Sequence, residues 1–255
     1  MEKTLSETVA IKKTSETDTH GVFEIEGLYR GYGITVGNAL RRVLLSSIPG
    51  AAATLLRVRG IQHEFTTIPH VLEDVVEISL NLKKIRFRMH SDEPQTLFLK
   101  VKGAREVTAA DFERNALVEL VTPAIHIATL TEKAAEFEIE VTVERGMGYQ
   151  PVEQRQMGKL PIGTIALDAV FSPVIAANFS IQHMRVGERA DYNRLALSVE
   201  TDGSVTPSQA LYKATKVLEN HFAKISTVVV KELERSAPLA KAKKAKTSKK
   251  AKKGK

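Results

Sequence analysis

Residues 136–145, Glu-Phe-Glu-Ile-Glu-Val-Thr-Val-Glu-Arg, alternate without a break. Phe137, Ile139, Val141 and Val143 fall on one side, with charged residues and Thr142 on the other. Successive side chains of an extended chain point to opposite faces, so this segment is a strand with one dry face and one wet face. Strands of an all-parallel sheet are buried on both faces and read as continuous apolar runs. The alternation therefore predicts antiparallel sheet rather than a doubly wound parallel one. The same period recurs at Gly21 to Gly27, where Phe23 and Ile25 alternate with Glu24 and Glu26, and at 193–201, through Leu195, Leu197 and Val199. ATLLRVRG (53–60), TLFLKVKG (96–103) and the stretch 174–186 also read as strands.

Three segments carry helical spacing instead. After a glycine-rich turn at Gly31 and Gly33, a helix is expected over 35–48 with Thr35 as its cap. Val36, Ala39, Leu40, Val43, Leu44 and Ser47 form its stripe, and Pro49-Gly50 stops it. Its other side presents Arg41, Arg42, Leu45 and Ile48, so it has two surfaces to satisfy. A second helix is expected over 70–83, with Glu73, Asp74 and Glu77 as its solvated face and Lys83-Lys84 at its end, as the helix dipole favours. A third starts with Thr206 as N-cap, Pro207 at the first helical position and Gln209 closing a capping box. Its stripe runs Ala210, Leu211, Ala214, Val217, Leu218, Phe222 and Ile225, and Ser236-Ala237-Pro238 ends it. The first twenty residues are polar, irregular or partly strand-forming. No fixed period repeats, which argues against a solenoid. The expected class is α+β.

Charge narrows the function classes. The 255 residues hold 37 Lys+Arg against 30 Asp+Glu, a formal +7. Residues 241–255, KAKKAKTSKKAKKGK, contain nine of those lysines and no acid, leaving 28 basic and 30 acidic residues in 1–240, a net of −2. The body is not basic; the tail is. No apolar run approaches the roughly 20 residues of a membrane span. The N-terminus has no signal-peptide core and four acids among its first 18 residues, so the expected location is cytoplasmic. Zero cysteine removes disulfides, Cys-ligated zinc, iron–sulfur clusters and thiol catalysis.

Catalytic patterns fail one by one. Gly31, Gly33 and Gly37 imitate a phosphate loop, but no Asp or Glu occurs between Glu26 and Glu64 to hold a ribose, and Asn38-Ala39-Leu40 replaces the Lys-Ser/Thr of a P-loop. A tight turn into a closely packed helix explains the glycines. His20, His63, His70, His90, His126, His183 and His221 show no metal-ligand spacing and read as surface or satisfied core histidines. There is no GxSxG elbow. No catalytic residue, metal site or cofactor is expected in this chain.

Longer strings carry more. GLYRGYGITVGNALRRVLLSSIPGAAAT (27–54), HEFTTIPHVLEDVVEISLNLK (63–83), RGMGYQPVE (145–153), DAVFSPV (168–174) and MRVGERADYNRLALSVETDGSVTPSQAL (184–211) occur in this order. Together they closely resemble the N-terminal assembly domain of the bacterial-type RNA polymerase alpha subunit, over roughly 20–230. The sequence departs from that family's pattern at Tyr29, which replaces an acid, at Pro69-His70, which replaces a Gly-containing turn, and across ANFSIQH (177–183).

The resemblance implies a discontinuous dimerisation domain, 20–49 with 172–235, carrying two long amphipathic helices on an antiparallel sheet. A mainly β insert, 50–171, interrupts it, and a disordered Lys-rich tail, 236–255, follows. It implies a homodimer through Val36, Leu40, Val43, Leu44, Leu211, Ala214, Leu218 and Phe222, although read by themselves these stripes equally suit an intrachain core. Arg41, Arg42 and Leu45 would contact the large beta subunit, and Val186, Gly187 and Arg189 the beta-prime subunit. Family members continue through a linker into a DNA-binding domain, which this sequence is expected to lack. Lys243, Lys244, Lys249, Lys250, Lys252 and Lys253 of the tail would contact DNA without sequence preference, or serve only as a solubilising extension. The implied function is a non-catalytic scaffold within a nucleotidyltransferase. The competing class is a stand-alone nucleic-acid-binding protein acting through its tail. The −2 body, 5% aromatic content and the lack of a helix-turn-helix or RNP signature weigh against it. A nucleotide-dependent enzyme lacks its loop residues.

Overall fold

The alternation at 136–145 folds as expected. Phe137, Ile139, Val141 and Val143 are at most 1% exposed. The intervening acids instead pair across the wet face, Glu138 with Arg59 (2.8 Å) and Lys100 (3.1 Å), Glu136 with Lys102, and Glu140 with Arg57 (3.6 Å). The computed structural model describes residues 9–155 and 160–236, with side chains of the last helix described to Val228. In chain order it contains β1 (Ala10–Glu16), β2 (His20–Leu28), α1 (Tyr32–Ser46), β3 (Pro49–Val58), α2 (Val75–Leu82), β4 (Phe87–Met89) and β5 (Gln95–Lys102). There follow β6 (Arg105–Thr108), β7 (Val118–Leu120), β8 (His126–Leu130), β9 (Glu136–Met147), β10 (Tyr149–Gln150), β11 (Thr164–Ala166) and β12 (Ala169–Val170). A long hairpin, β13 (Val174–Val186) and β14 (Arg189–Thr201), leads into α3 (Pro207–Ser236).

Every strand pairing among the described residues is antiparallel. One sheet has the order β1-β2-β14-β13. A larger one runs β5-β9-β3-β4-β7, with β11 paired to β3; β6-β8 and β10-β12 form two small ribbons. The class is α+β. Of the two helices expected to be long, α3 has 30 residues and α1 has 15. The chain divides into two compact units, 1–215 and 216–255. Within the first, α1 lies on β13 and β14, and α2 lies on β8. The main core gathers α2 (Val75, Ile78, Leu82), β5 (Leu97, Leu99), β9 and Leu56 of β3.

Two helix starts differ from the sequence reading. The first helix begins at Tyr32, three residues before the expected cap Thr35. Gly31 at φ +84° makes the turn, with no side-chain cap. The second begins at Val75 rather than at His70. His70 sits at φ +62°, a left-handed conformation costly for a non-glycine residue, at the place where a Gly-containing turn was expected from the resemblance. Asp74 then caps the helix, its Oδ1 accepting from Glu77 N–H at 2.6 Å. Glu73, expected on the solvated face, is 6% exposed. It turns inward because Thr129 N–H (2.6 Å) and His126 Nε2 (2.9 Å) hold its carboxylate. The third helix keeps its predicted start: Gln209 N–H donates to Thr206 Oγ1 (3.3 Å) and Thr206 N–H to Gln209 Oε1 (3.4 Å).

Candidate functional site

Helix α1 separates its residues into two faces. Gly33, Gly37, Leu40 and Leu44 are buried against the β13–β14 hairpin. At its entrance, Tyr32 N–H donates to Tyr29 C=O (2.9 Å) and Gly31 N–H to Asn193 Oδ1 (3.0 Å). A Cβ built on Gly37 would lie 2.7 Å from the Phe179 ring, so the glycines bring helix and sheet backbones together. Close packing at Gly33 and Gly37, and the left-handed turn at Gly31, explain the glycine pattern that imitates a phosphate loop. The opposite face carries Ile34, Asn38, Arg41, Arg42 and Leu45, all exposed, at the i, i+4, i+7, i+8, i+11 spacing of one helical side. Ser46 Oγ donates to Arg42 C=O (2.7 Å) and Ser172 Oγ to Leu45 C=O (3.2 Å), which fixes the last turn. The three residues expected to contact beta therefore share one outward surface on a rigid support.

Of the residues expected to contact beta-prime, Arg189 lies against Tyr29, beside the N-terminal end of α1. Val186 is half-buried, Gly187 takes φ +61° in the hairpin turn, and Arg189 is exposed. The Arg189 guanidinium lies 5.1 Å from the Tyr29 ring centroid and 5.7 Å from that of Tyr192, while donating to Asp191 at 3.0 Å. Tyr32 meets Tyr29 edge-on at 6.5 Å. Cation–π contact and the ion pair hold Arg189 in place before any partner arrives. Sequence reasoning missed Tyr32 and Tyr192. The repeated tyrosines at 29 and 32 were a visible signal, but Tyr192 joins them only because β14 runs beside β2.

The expected dimer residues separate by burial. Leu44 and Ala214 have no exposed surface and Leu40 has 5%, so these three belong to the chain's own core and can only back an interface. Val36, Val43, Leu211 and Leu218 are half-buried. Phe222 is exposed, as are Ile225 and Val228. The six tail lysines, Lys243 to Lys253, lie outside the described residues. Among the described residues no group of three or more His, Asp or Glu is arranged to hold a metal ion, and no helix is long and apolar enough to cross a membrane.

The RNA polymerase Rpb3/RpoA insert domain family matches residues 56–172. A DNA-directed RNA polymerase subunit alpha from Symbiobacterium thermophilum is 48% identical over 222 residues, which cover 87% of this chain and 69% of that relative. The chain belongs to the DNA-directed RNA polymerase alpha subunit family. Alpha subunits of Alkaliphilus oremlandii (43%) and Oceanobacillus iheyensis (44%) align over the same shares of each chain.

Proposed function

We propose that this alpha-family chain homodimerises and forms the platform on which the beta and beta-prime subunits of a DNA-dependent RNA polymerase assemble. In this reading 20–49 and 172–235 make the dimerisation domain and 50–171 the insert. The division is supported by the separation of the four-stranded sheet, drawn from 10–28 and 174–201, from the six-stranded one, drawn from 49–166. Nucleotidyl transfer belongs to the large subunits, and this chain supplies no catalytic residue and no cofactor. The complex works in the cytoplasm, with the lysine tail as a sequence-independent DNA contact.

The outward face of α1 carries the proposal. Arg41, Arg42 and Leu45 stand on a helix whose reverse side is locked to a sheet, so a partner would dock without ordering the backbone first. Arginine suits such a contact because its planar fork makes several hydrogen bonds as the interface dries. Arg189 is the corresponding anchor for beta-prime. Phe222, Ile225 and Val228, spaced three apart on α3, leave apolar surface in water that a second copy would cover at roughly 25 cal/mol per Å². The test is capture of beta by tagged chain. Arg42→Ala is expected to keep its fold and to recover about tenfold less beta, as for an interface arginine worth over 1 kcal/mol. Undiminished recovery would refute the assignment of this face.

A further inference from the structure

The ends of β3 and β9, strand β4 with His90, and the first turns of α3 enclose a cleft of about 520 Å³, a size typical of small-molecule sites. All of it lies within the first compact unit. Its wall carries Arg88, His90, Arg145 and Lys213, and no acidic side chain among the described residues lines it. We propose that this cleft binds a small polyanion bearing phosphoryl groups, with Lys213 and Arg145 as its principal ligands.

The four cations are not equivalent. Arg88 is already occupied, donating to the Ser204 (2.8 Å) and Gly203 (3.0 Å) carbonyls and to Glu119 (2.9 Å), so it builds the wall. His90 Nε2 is 3.9 Å from that same carboxylate. Arg145 pairs with Asp92, whose side chain is 89% exposed, so water weakens the pair and the remaining guanidinium donors stay available. Lys213 has no acidic partner among the described residues. Burial first, and the Arg145 charge second, push its ammonium below the ordinary lysine value. Two cations that repel each other in a half-dry cleft cost stability unless an anion joins them. A phosphoryl group meets that need better than a single carboxylate, with up to two charges and three acceptor oxygens for an arginine fork and a lysine point charge. Thr206 lines the same cleft, and because its Oγ1 accepts from Gln209 N–H, its hydroxyl proton is left to donate.

The test is calorimetric titration of the full chain with inorganic pyrophosphate, without divalent metal and at constant ionic strength. Wild type, Lys213→Gln and Arg145→Gln are compared. The tail lysines are identical in all three, so differences among them report the cleft. One saturable event is expected in wild type, weakened at least about tenfold in each variant, with citrate binding markedly more weakly. Without ligand, Lys213→Gln should melt no lower than wild type, since it removes an unneutralised charge. Equal affinities in the three chains, or citrate binding as tightly as pyrophosphate, would overturn the proposal. Neither result depends on capture of beta, so it stands or falls apart from the scaffold reading.

Discussion

Gly37 lies inside α1, where alanine ordinarily stabilises an open helix by about 1 kcal/mol over glycine. Here the added methyl would sit 2.7 Å from the Phe179 ring and 3.0 Å from Leu195. The clash should reverse the sign. Gly37→Ala is expected to destabilise by about 1–3 kcal/mol, the usual cost of overpacking, and thermal melting would show it; a higher melting temperature would mean that the hairpin yields. The sequence showed that this glycine serves close packing, since no phosphate-loop partner residues accompany it. It did not show what the glycine packs against. Glu73 shows the same limit more sharply, because it shares the sequence texture of Asp74 and Glu77 yet is buried. Its partners, His126 and Thr129, come from β8, and local sequence carries no record of that pairing.

Elements join through such side chains, and the connection from the segment before α2 to β8 should depend on pH. Burial pushes the Glu73 carboxyl up, but hydrogen bonds from Thr129 and His126 outweigh it and hold the group below its ordinary 4.5. Burial likewise pushes His126 down, while its bonds to Glu73 and Glu106, both 2.9 Å, hold it above its ordinary 6.5. The stability from Glu73 is complete above about 4.5 and is lost as pH falls through its lowered folded value. That from His126 is complete below about 6.5 and is lost as pH rises through its raised folded value. The melting-temperature gap between wild type and His126→Gln is therefore expected to be widest between about pH 4.5 and 6.5 and to narrow on either side. A gap independent of pH would show that Glu73 and His126 do not titrate as a pair. The element starts follow the same division. Thr206, Pro207 and Gln209 form a local signal and α3 begins where they place it, whereas α1 begins after the Gly31 turn and α2 after the Asp74 cap, both away from the expected starts.

For the whole molecule the question raised by the proposed dimer is which apolar surface a second copy would cover. Leu44→Asp would damage the chain's own core, since that side chain has no exposed surface, so loss of a dimer in that variant would be uninformative. Phe222 is 64% exposed, and Phe222→Asp is the sharper variant. It is expected to keep the far-ultraviolet circular dichroism of the fold and to shift light-scattering mass from dimer to monomer; an unchanged dimer would place the interface elsewhere. Sequence by itself determined the α+β class, the antiparallel pairing, the start of α3 and the charge partition into a slightly acidic body and a lysine tail. These follow from period, local capping and composition, which act between near neighbours in the chain. The tertiary structure decided that Leu40, Leu44 and Ala214 belong to the chain's own core and that Arg189 rests between two tyrosines. It also brought Lys213 and Arg145 to one cleft that no acidic side chain among the described residues lines. Burial and electrostatic neighbourhood are set by strands and helices far apart in sequence, and only the packed fold brings them to one place.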